Sequence, residues 1–276
     1  MILEPNNIII SPKQPYFVMA APHYYKAIVM NYGISHFYCF KKYETNTITA
    51  IPDGCIDIVF YCDDNDPKAF VCGTVLHPKE AFSEKNKYFF GVRFLPGSSI
   101  KFKNANMSDF VDRQIPFLEV LEDKDLFQKI TSSKNFNYQI QVFMDKYLKE
   151  YEFPKKRDLK NFLVNKIIES AGQVQVNELA DITGYSVRYI NKTFNKEFGI
   201  PPKVFCKLMR FQYLINDLNA FEKGVFETNL SQLSIELGYY DQAHMIKDFY
   251  EFTNTTPMKY IYSLQETEYK KRLVIV

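Results

Sequence analysis

Tryptophan is absent, and only four of the 276 residues are histidine. A metalloenzyme needs clustered His and Glu ligands. His23, His36 and His77, the histidines of the first half, show no His-x-His spacing, so neither a metal site nor catalysis is expected. Cysteine is scarce as well: Cys39, Cys55, Cys62, Cys72 and Cys206 are odd in number, irregular in spacing and free of any Cys-x-x-Cys pair. That excludes a disulfide framework and a zinc knuckle, and leaves the thiols as small buried hydrophobes. No apolar run reaches the ~18–20 residues needed to cross a bilayer. The start, Met1 to Asn7, has no basic stretch leading into an apolar one, so no signal peptide and a cytoplasmic location are expected.

Charge of one sign is also missing. The net charge is +2, which by itself names no partner. Dividing the chain at Pro154 gives 17 Lys+Arg against 18 Asp+Glu before the cut and 17 against 14 after it. The excess in the second half has the sign that nucleic-acid binding requires. With 46% hydrophobic and 24% charged residues the chain is globular, and its length allows two domains, each with its own core. Phe and Tyr, 25 and 20 residues, must supply the bulk of both cores.

The first hundred residues predict strands at Tyr25 to Met30, Ile34 to Tyr43, Ile56 to Cys62, Phe70 to Leu76 and Tyr88 to Leu95. Each is rich in β-branched and aromatic residues and is bounded by turn chemistry such as Asn31-Tyr32-Gly33 and Pro52-Asp53-Gly54. Short strands at close spacing suggest an antiparallel sandwich or small barrel. The pattern changes near residue 115. Ile140, Phe143, Met144, Tyr147, Leu148 and Tyr151 form a helical stripe, which suits packing on its own domain and a dimer seam equally. Phe153 to Arg157 reads as a linker, and everything after Asp158 as helical. The division is thus a β-rich domain over 1–154 with C-terminal helices and an all-α domain over 155–276.

The strongest signal is an internal repeat in the second half. Val176 to Ser186 and Leu230 to Tyr240 are each a short amphipathic segment ending in Gly-Tyr, with Gly184 or Gly238 available for a left-handed turn. Phe194 and Phe249 follow, 55 residues apart, each two positions after a lysine and eight before a proline, Pro202 or Pro257. Gly199 closes the first unit where Asn254, the residue that best tolerates positive φ after glycine, closes the second. Helix, glycine turn, second helix is the layout of a helix-turn-helix. Ser186 and Asp241 are placed to cap the second helix of each unit. Ile190, Phe194 and Phe198 form its buried stripe in the first, and Met245, Phe249 and Phe252 in the second. Pro201-Pro202 opens a long amphipathic helix between them.

At these residues the chain resembles the AraC/XylS family of transcription regulators over about residues 160–265. The most specific stretch is Gly238-Tyr239-Tyr240-Asp241-Gln242-Ala243-His244-Met245-Ile246-Lys247-Asp248-Phe249 with Thr256-Pro257-Met258-Lys259-Tyr260. The resemblance implies that each second helix enters the major groove, on successive turns of one DNA face. Arg188, Asn191 and Lys192 of the first unit and Gln242, Ala243 and Lys247 of the second would then reach double-stranded DNA. Arg188 suits guanine, Asn191 and Gln242 suit adenine, and Ala243 offers a methyl contact to thymine. Lys192 and Lys247 suit phosphates. The second unit has fewer readers, so more specificity is expected from the first. His244 resembles a family position that packs or touches backbone.

Pro52 to Phe60, Cys72-Gly73 and Gly91 to Gly97 resemble an uncharacterised domain found in front of AraC-type DNA-binding regions. In the wider family this half is often a cupin-like β-barrel that binds a small effector, dimerises, or both. The partners implied are DNA, RNA polymerase, a small-molecule effector and a second copy, with no cofactor. Asp57 and Arg93 each interrupt an apolar strand. They form a structural ion pair, meet an anionic effector in a pocket, or point to solvent. Two alternatives stand beside an effector-controlled regulator. One is a ligand-independent regulator whose first domain only dimerises. The other is a protein of metal or thiol chemistry using Cys55 with its neighbouring cysteines.

Overall fold

The strand-rich half builds one sheet, buried on both faces, in the computed structural model, which describes residues 10–43, 48–84, 87–98, 100, 102–103, 105–151, 158–220 and 230–276. The predicted linker Phe153–Arg157, the domain boundary within it and the N-terminal Met1–Asn7 lie outside the described residues. A short helix α1 (Pro15–Ala20) precedes β1 (Tyr24–Asn31) and β2 (Ile34–Lys41), which form a hairpin. β3 (Ile48–Ala50), β4 (Asp57–Cys62), β5 (Lys68–Cys72), β6 (Lys79–Ala81), β7 (Tyr88–Phe94) and β8 (Gln114–Pro116) follow. Seven strands, including β9 (Leu273–Ile275) from the other end of the chain, lie in the order β8-β5-β4-β7-β2-β1-β9, and β3 and β6 form a separate ribbon. Every pairing in the large sheet is antiparallel except β1 with β9.

One face carries Phe37, Ile58, Phe60, Phe90 and Val92 against α2 (Phe117–Val120), α3 (Lys124–Thr131) and α4 (Phe136–Glu150). The other carries Tyr38, Phe40, Val59, Tyr61 and Phe89 against Phe17 of α1 and Phe82 beside the ribbon. A strand covered on both sides loses the in-out alternation of a half-exposed one, which is why β2 from Ile34 to Phe40 and all of β4 are buried at every position. Each such Phe contributes about 1.5–3 kcal/mol of burial. β5 stops at Cys72, short of the predicted Leu76. There Gly73 donates its N–H to Arg113 at 3.0 Å and lies so close to Phe110 that no side chain would fit.

Of the two readings of the α4 stripe, packing on its own domain is the one observed. Phe143 lies edge-on to Phe37, Tyr147 packs on Phe94, and the Tyr147 hydroxyl donates to Tyr32 O at 2.8 Å. Leu148 alone of the stripe is exposed.

Among the described residues the rest of the chain is helical up to β9: α5 (Leu159–Glu169), α6 (Val176–Thr183), α7 (Val187–Phe198), α8 (Pro202–Ala220), α9 (Leu230–Glu236), α10 (Gln242–Thr253), α11 (Pro257–Glu266) and α12 (Tyr269–Arg272). The expectation of helix alone after Asp158 is corrected by β9, whose partner, the free edge of β1, lies some 250 residues away in sequence. α8 is the central rod, with Phe205, Leu208, Phe211, Leu214, Ile215 and Leu218 buried. The two halves do not keep wholly separate cores, because Ile10 and Ile51 belong to the same apolar cluster as α5, α8 and α10. Gln212 of α8 is fully buried at this junction: it accepts from Lys13 N at 2.8 Å and donates to Pro52 O at 2.9 Å.

Candidate nucleic-acid interface

Each repeat forms its two helices and turn as the local chemistry requires. Gly184 and Gly238 take φ of +72° and +70° at the turns. Ser186 accepts from Tyr189 N to cap α7, and Asp241 accepts from His244 N at 2.7 Å to cap α10. Gly199 (φ +74°) and Asn254 (φ +56°) end these helices in the left-handed conformation. Ile190, Phe194 and Phe198 anchor α7 in the core, and Met245, Phe249 and Phe252 anchor α10. Because the apolar stripe is fixed, the opposite face of each helix is fixed too.

That outer face holds the predicted residues. Arg188 and Lys192 are exposed on α7, and Gln242, Ala243 and Lys247 on α10. Asn191 is half-buried, and its amide donates to Val187 O at 2.8 Å, leaving Oδ1 to accept from another group. Arg188, Lys192 and Lys247 have no ion-pair partner among the described residues. Lys196, which sequence reasoning missed, is exposed one turn beyond Lys192. With Arg188 and Lys192 it completes a cationic row at i, i+4 and i+8, a spacing legible in the sequence.

Also missed were the rings beside these helices. Tyr185 and Tyr189 stack on each other in the open, with centroids 4.9 Å apart, and Tyr240 is 92% exposed. His244 packs edge-on to Tyr239, accepts from Tyr240 N at 3.5 Å through Nδ1, and lies 3.8 Å from Asp248. It holds the second turn in place. Lys207 of α8 reaches Asp248 at 3.3 Å and Glu251 at 3.0 Å, so α10 is also tied to the central rod.

Residues 179–262 match the model of a helix-turn-helix domain, and residues 30–116 that of a domain of unknown function (DUF6597). The C-terminal half carries a helix-turn-helix domain of AraC type. No curated protein matches it. Among solved structures, ToxT from Vibrio cholerae O395 is 12% identical, with 83% of this chain and 96% of that one covered at a TM-score of 0.42. The C-terminal domain of AraT, a response regulator from Geobacillus stearothermophilus, is 15% identical, covering 40% and 88% at 0.35. The xylose-binding transcription activator XylR is 16% identical, covering 46% and 38% at 0.32. Likeness at this level carries nothing about function. The family match to the helix-turn-helix region supports a DNA-binding transcription regulator.

In the N-terminal half the charged pair meets inside the molecule. Arg93 donates from Nε to Asp57 Oδ1 at 2.7 Å and from Nη2 to Asp57 Oδ2. Its Nη1 lies 3.0 Å from Asp53 Oδ2, and all three residues are buried. Tyr38 OH donates to Asp57 and Gln14 to Asp53. Burial raises the Asp53 pKa even so, because removal from water outweighs its attraction to Arg93. Of the three readings of Asp57 and Arg93, the structural ion pair is the arrangement seen, with two carboxylates around the guanidinium.

All five cysteines are free, and burial pushes every thiol up. Cys39 and Cys206 rise to about 11, Cys62 and Cys72 to about 12, and Cys55 well above its ordinary value. A thiolate nucleophile is disfavoured in such surroundings, which argues against the thiol-chemistry reading of Cys55.

No helix among the described residues is long and apolar enough to cross a membrane.

Proposed function

We propose that this protein is a sequence-specific transcription regulator that reads double-stranded DNA with the outer faces of α7 and α10. The observation carrying this reading is the row Arg188, Lys192 and Lys196, without ion-pair partners among the described residues, on a helix whose other face is locked in the core. Arg188 reads guanine, Asn191 and Gln242 adenine, and Ala243 a thymine methyl, while Lys192, Lys196 and Lys247 hold phosphates. α8, with 19 residues, is about 28 Å long, comparable to one turn of B-DNA, and separates the two units rigidly. The N-terminal domain controls this activity through a small effector or partner. The support for control is the shared junction, where Gln212 of α8 bonds directly to the backbone of Lys13 and Pro52.

Selection of binding sites from a genomic fragment library, at two salt concentrations, tests the reading. Wild type should enrich two submotifs about one helical turn apart. Arg188→Ala should erase information in one of them and cost about 1–3 kcal/mol. Lys192→Ala should weaken all sequences alike and lower the salt slope by about one. Absence of enrichment, with Arg188→Ala indistinguishable from wild type, would overturn it.

A further inference from the structure

Large apolar side chains stand in the open around the turn of the first helix-turn-helix. Ile182, Tyr185, Val187 and Tyr189 are all exposed, the two rings at 46% and 48%. Those rings stack with centroids 4.9 Å apart and planes 18° from parallel, so each fixes the other's orientation while neither is buried. Among the described residues neither hydroxyl has a hydrogen-bond partner. The second unit uses the corresponding place differently. His244, 55 residues after Tyr189, packs edge-on to the buried ring of Tyr239 and so serves its own turn.

Tyr189 is also well placed on α7. With about 100° per residue, the middle of the face opposite Ile190, Phe194 and Phe198 lies about 40° from Tyr189 and about 120° from Asn191. Tyr189 therefore flanks the row Arg188, Lys192 and Lys196 more centrally than Asn191, which is half-buried with its amide tied to Val187 O. A concentrated apolar patch in the open marks a surface that another molecule covers. The cationic row beside it complements a polyanion, which makes that molecule the DNA duplex already proposed for this helix. In the major groove the bases offer one apolar feature to a ring, the C5-methyl group of thymine.

We propose that Tyr189, braced by its stack on Tyr185, is a further sequence-reading residue that contacts the C5-methyl of a thymine beside the guanine read by Arg188. This deepens the DNA reading of α7 and rests on it. Tyr189 makes the contact, and Tyr185 is a positioning residue that acts through it. The stack sets the ring before DNA arrives, so little side-chain freedom is lost when the methyl group meets it.

The test is equilibrium titration of the full chain with labelled duplexes of the site it selects, each thymine in turn replaced by deoxyuridine, which lacks only that methyl. In the submotif that Arg188→Ala erases, one replacement should weaken wild type about three- to fivefold, the worth of one buried methyl group. Tyr189→Phe should show the same loss, because the ring is kept. Tyr189→Ala should bind the thymine duplex more weakly and lose nothing further with deoxyuridine. Tyr185→Ala should shrink the loss without changing the salt slope, which a phosphate contact would lower. Unchanged selection of the other submotif shows that each variant folds. No effect of any replacement in the Arg188 submotif on wild type, or an equal loss in wild type and Tyr189→Ala, would overturn the proposal and leave the reading of DNA by Arg188 standing. So would a loss in Tyr189→Ala that is the same for every sequence, which would put the ring on the DNA backbone. A wild-type protein that enriches no site overturns both.

Discussion

A buried lysine with no ion-pair partner among the described residues leaves a signature in the pH dependence of stability. In the folded chain the Lys26 pKa is lowered from 10.5 to about 7, first by burial and then by Lys13 and Arg93. Between about pH 7 and 10.5 the unfolded chain holds a proton that the folded chain has lost, so stability rises with pH across that window. Below about pH 7 both states are protonated and the contribution is flat, at its most destabilising. Lys26→Met should therefore be more stable than wild type at pH 7, by about 1–4 kcal/mol, and the gap should close toward pH 10. Urea midpoints at pH 7, 8, 9 and 10 for both proteins read this directly, and a constant gap would refute it. His36 adds a slope of the same sign at lower pH, because the unfolded chain protonates its imidazole below about 6.5 while burial keeps the folded one neutral. Lys26 was not legible in the sequence. In Tyr-Tyr-Lys-Ala-Ile it looks like the solvent side of an alternating strand, and the fold instead pairs it with β9 and buries it. Asp57 and Arg93 were legible as charges inside apolar runs. Their third partner, Asp53, was hidden in a Pro-Asp-Gly sequence that reads as ordinary turn chemistry.

At the scale of elements, legibility follows the range of the interactions. The helix-turn-helix units were readable because caps, left-handed glycines and apolar stripes act within a dozen residues. The three-residue strands β3, β6, β8 and β9 were not, since each exists only through a partner elsewhere in the chain. The glycines of α6 and α7 separate local conformation from packing. Gly184 has φ of +72°, but a methyl group there would meet nothing within 4 Å. Gly184→Ala should cost only the backbone term of about 1–2 kcal/mol. Gly199 has nearly the same φ, but its methyl would come within 2.7 Å of Met107 O in the N-terminal half. Gly199→Ala should cost distinctly more, and also loosen the contact of α7 with that segment. Equal losses of stability in chemical denaturation would show that the contact does not hold in solution.

At the scale of the whole molecule, two family modules have become one cooperative body, and the join is polar at its centre. Phe205 and Met209 of α8 pack against Gly54, whose added methyl would meet both at 3.0 Å, and Val164 of α5 packs against Gly97. β9 carries the end of the DNA-binding half onto the edge of the N-terminal sheet, and Arg272 donates to Met19 O and Ala21 O. Gln212 lies in the middle of this apolar contact with its amide bonded to Lys13 and Pro52. Such an arrangement should unfold in a single calorimetric transition rather than one per module. Truncating the amide by Gln212→Ala leaves the Lys13 N–H and the Pro52 carbonyl without their partner, at about 1–3 kcal/mol for each group left unpaired and buried. Neither module loses a core side chain by that change, so each keeps its own stability while the join weakens. The thermogram of Gln212→Ala should broaden or split, while DNA selection itself survives. A thermogram merely shifted to lower temperature as one sharp peak would mean that the sheet and the helices are coupled by the apolar contacts and β9 alone, and that Gln212 only fills its place among them.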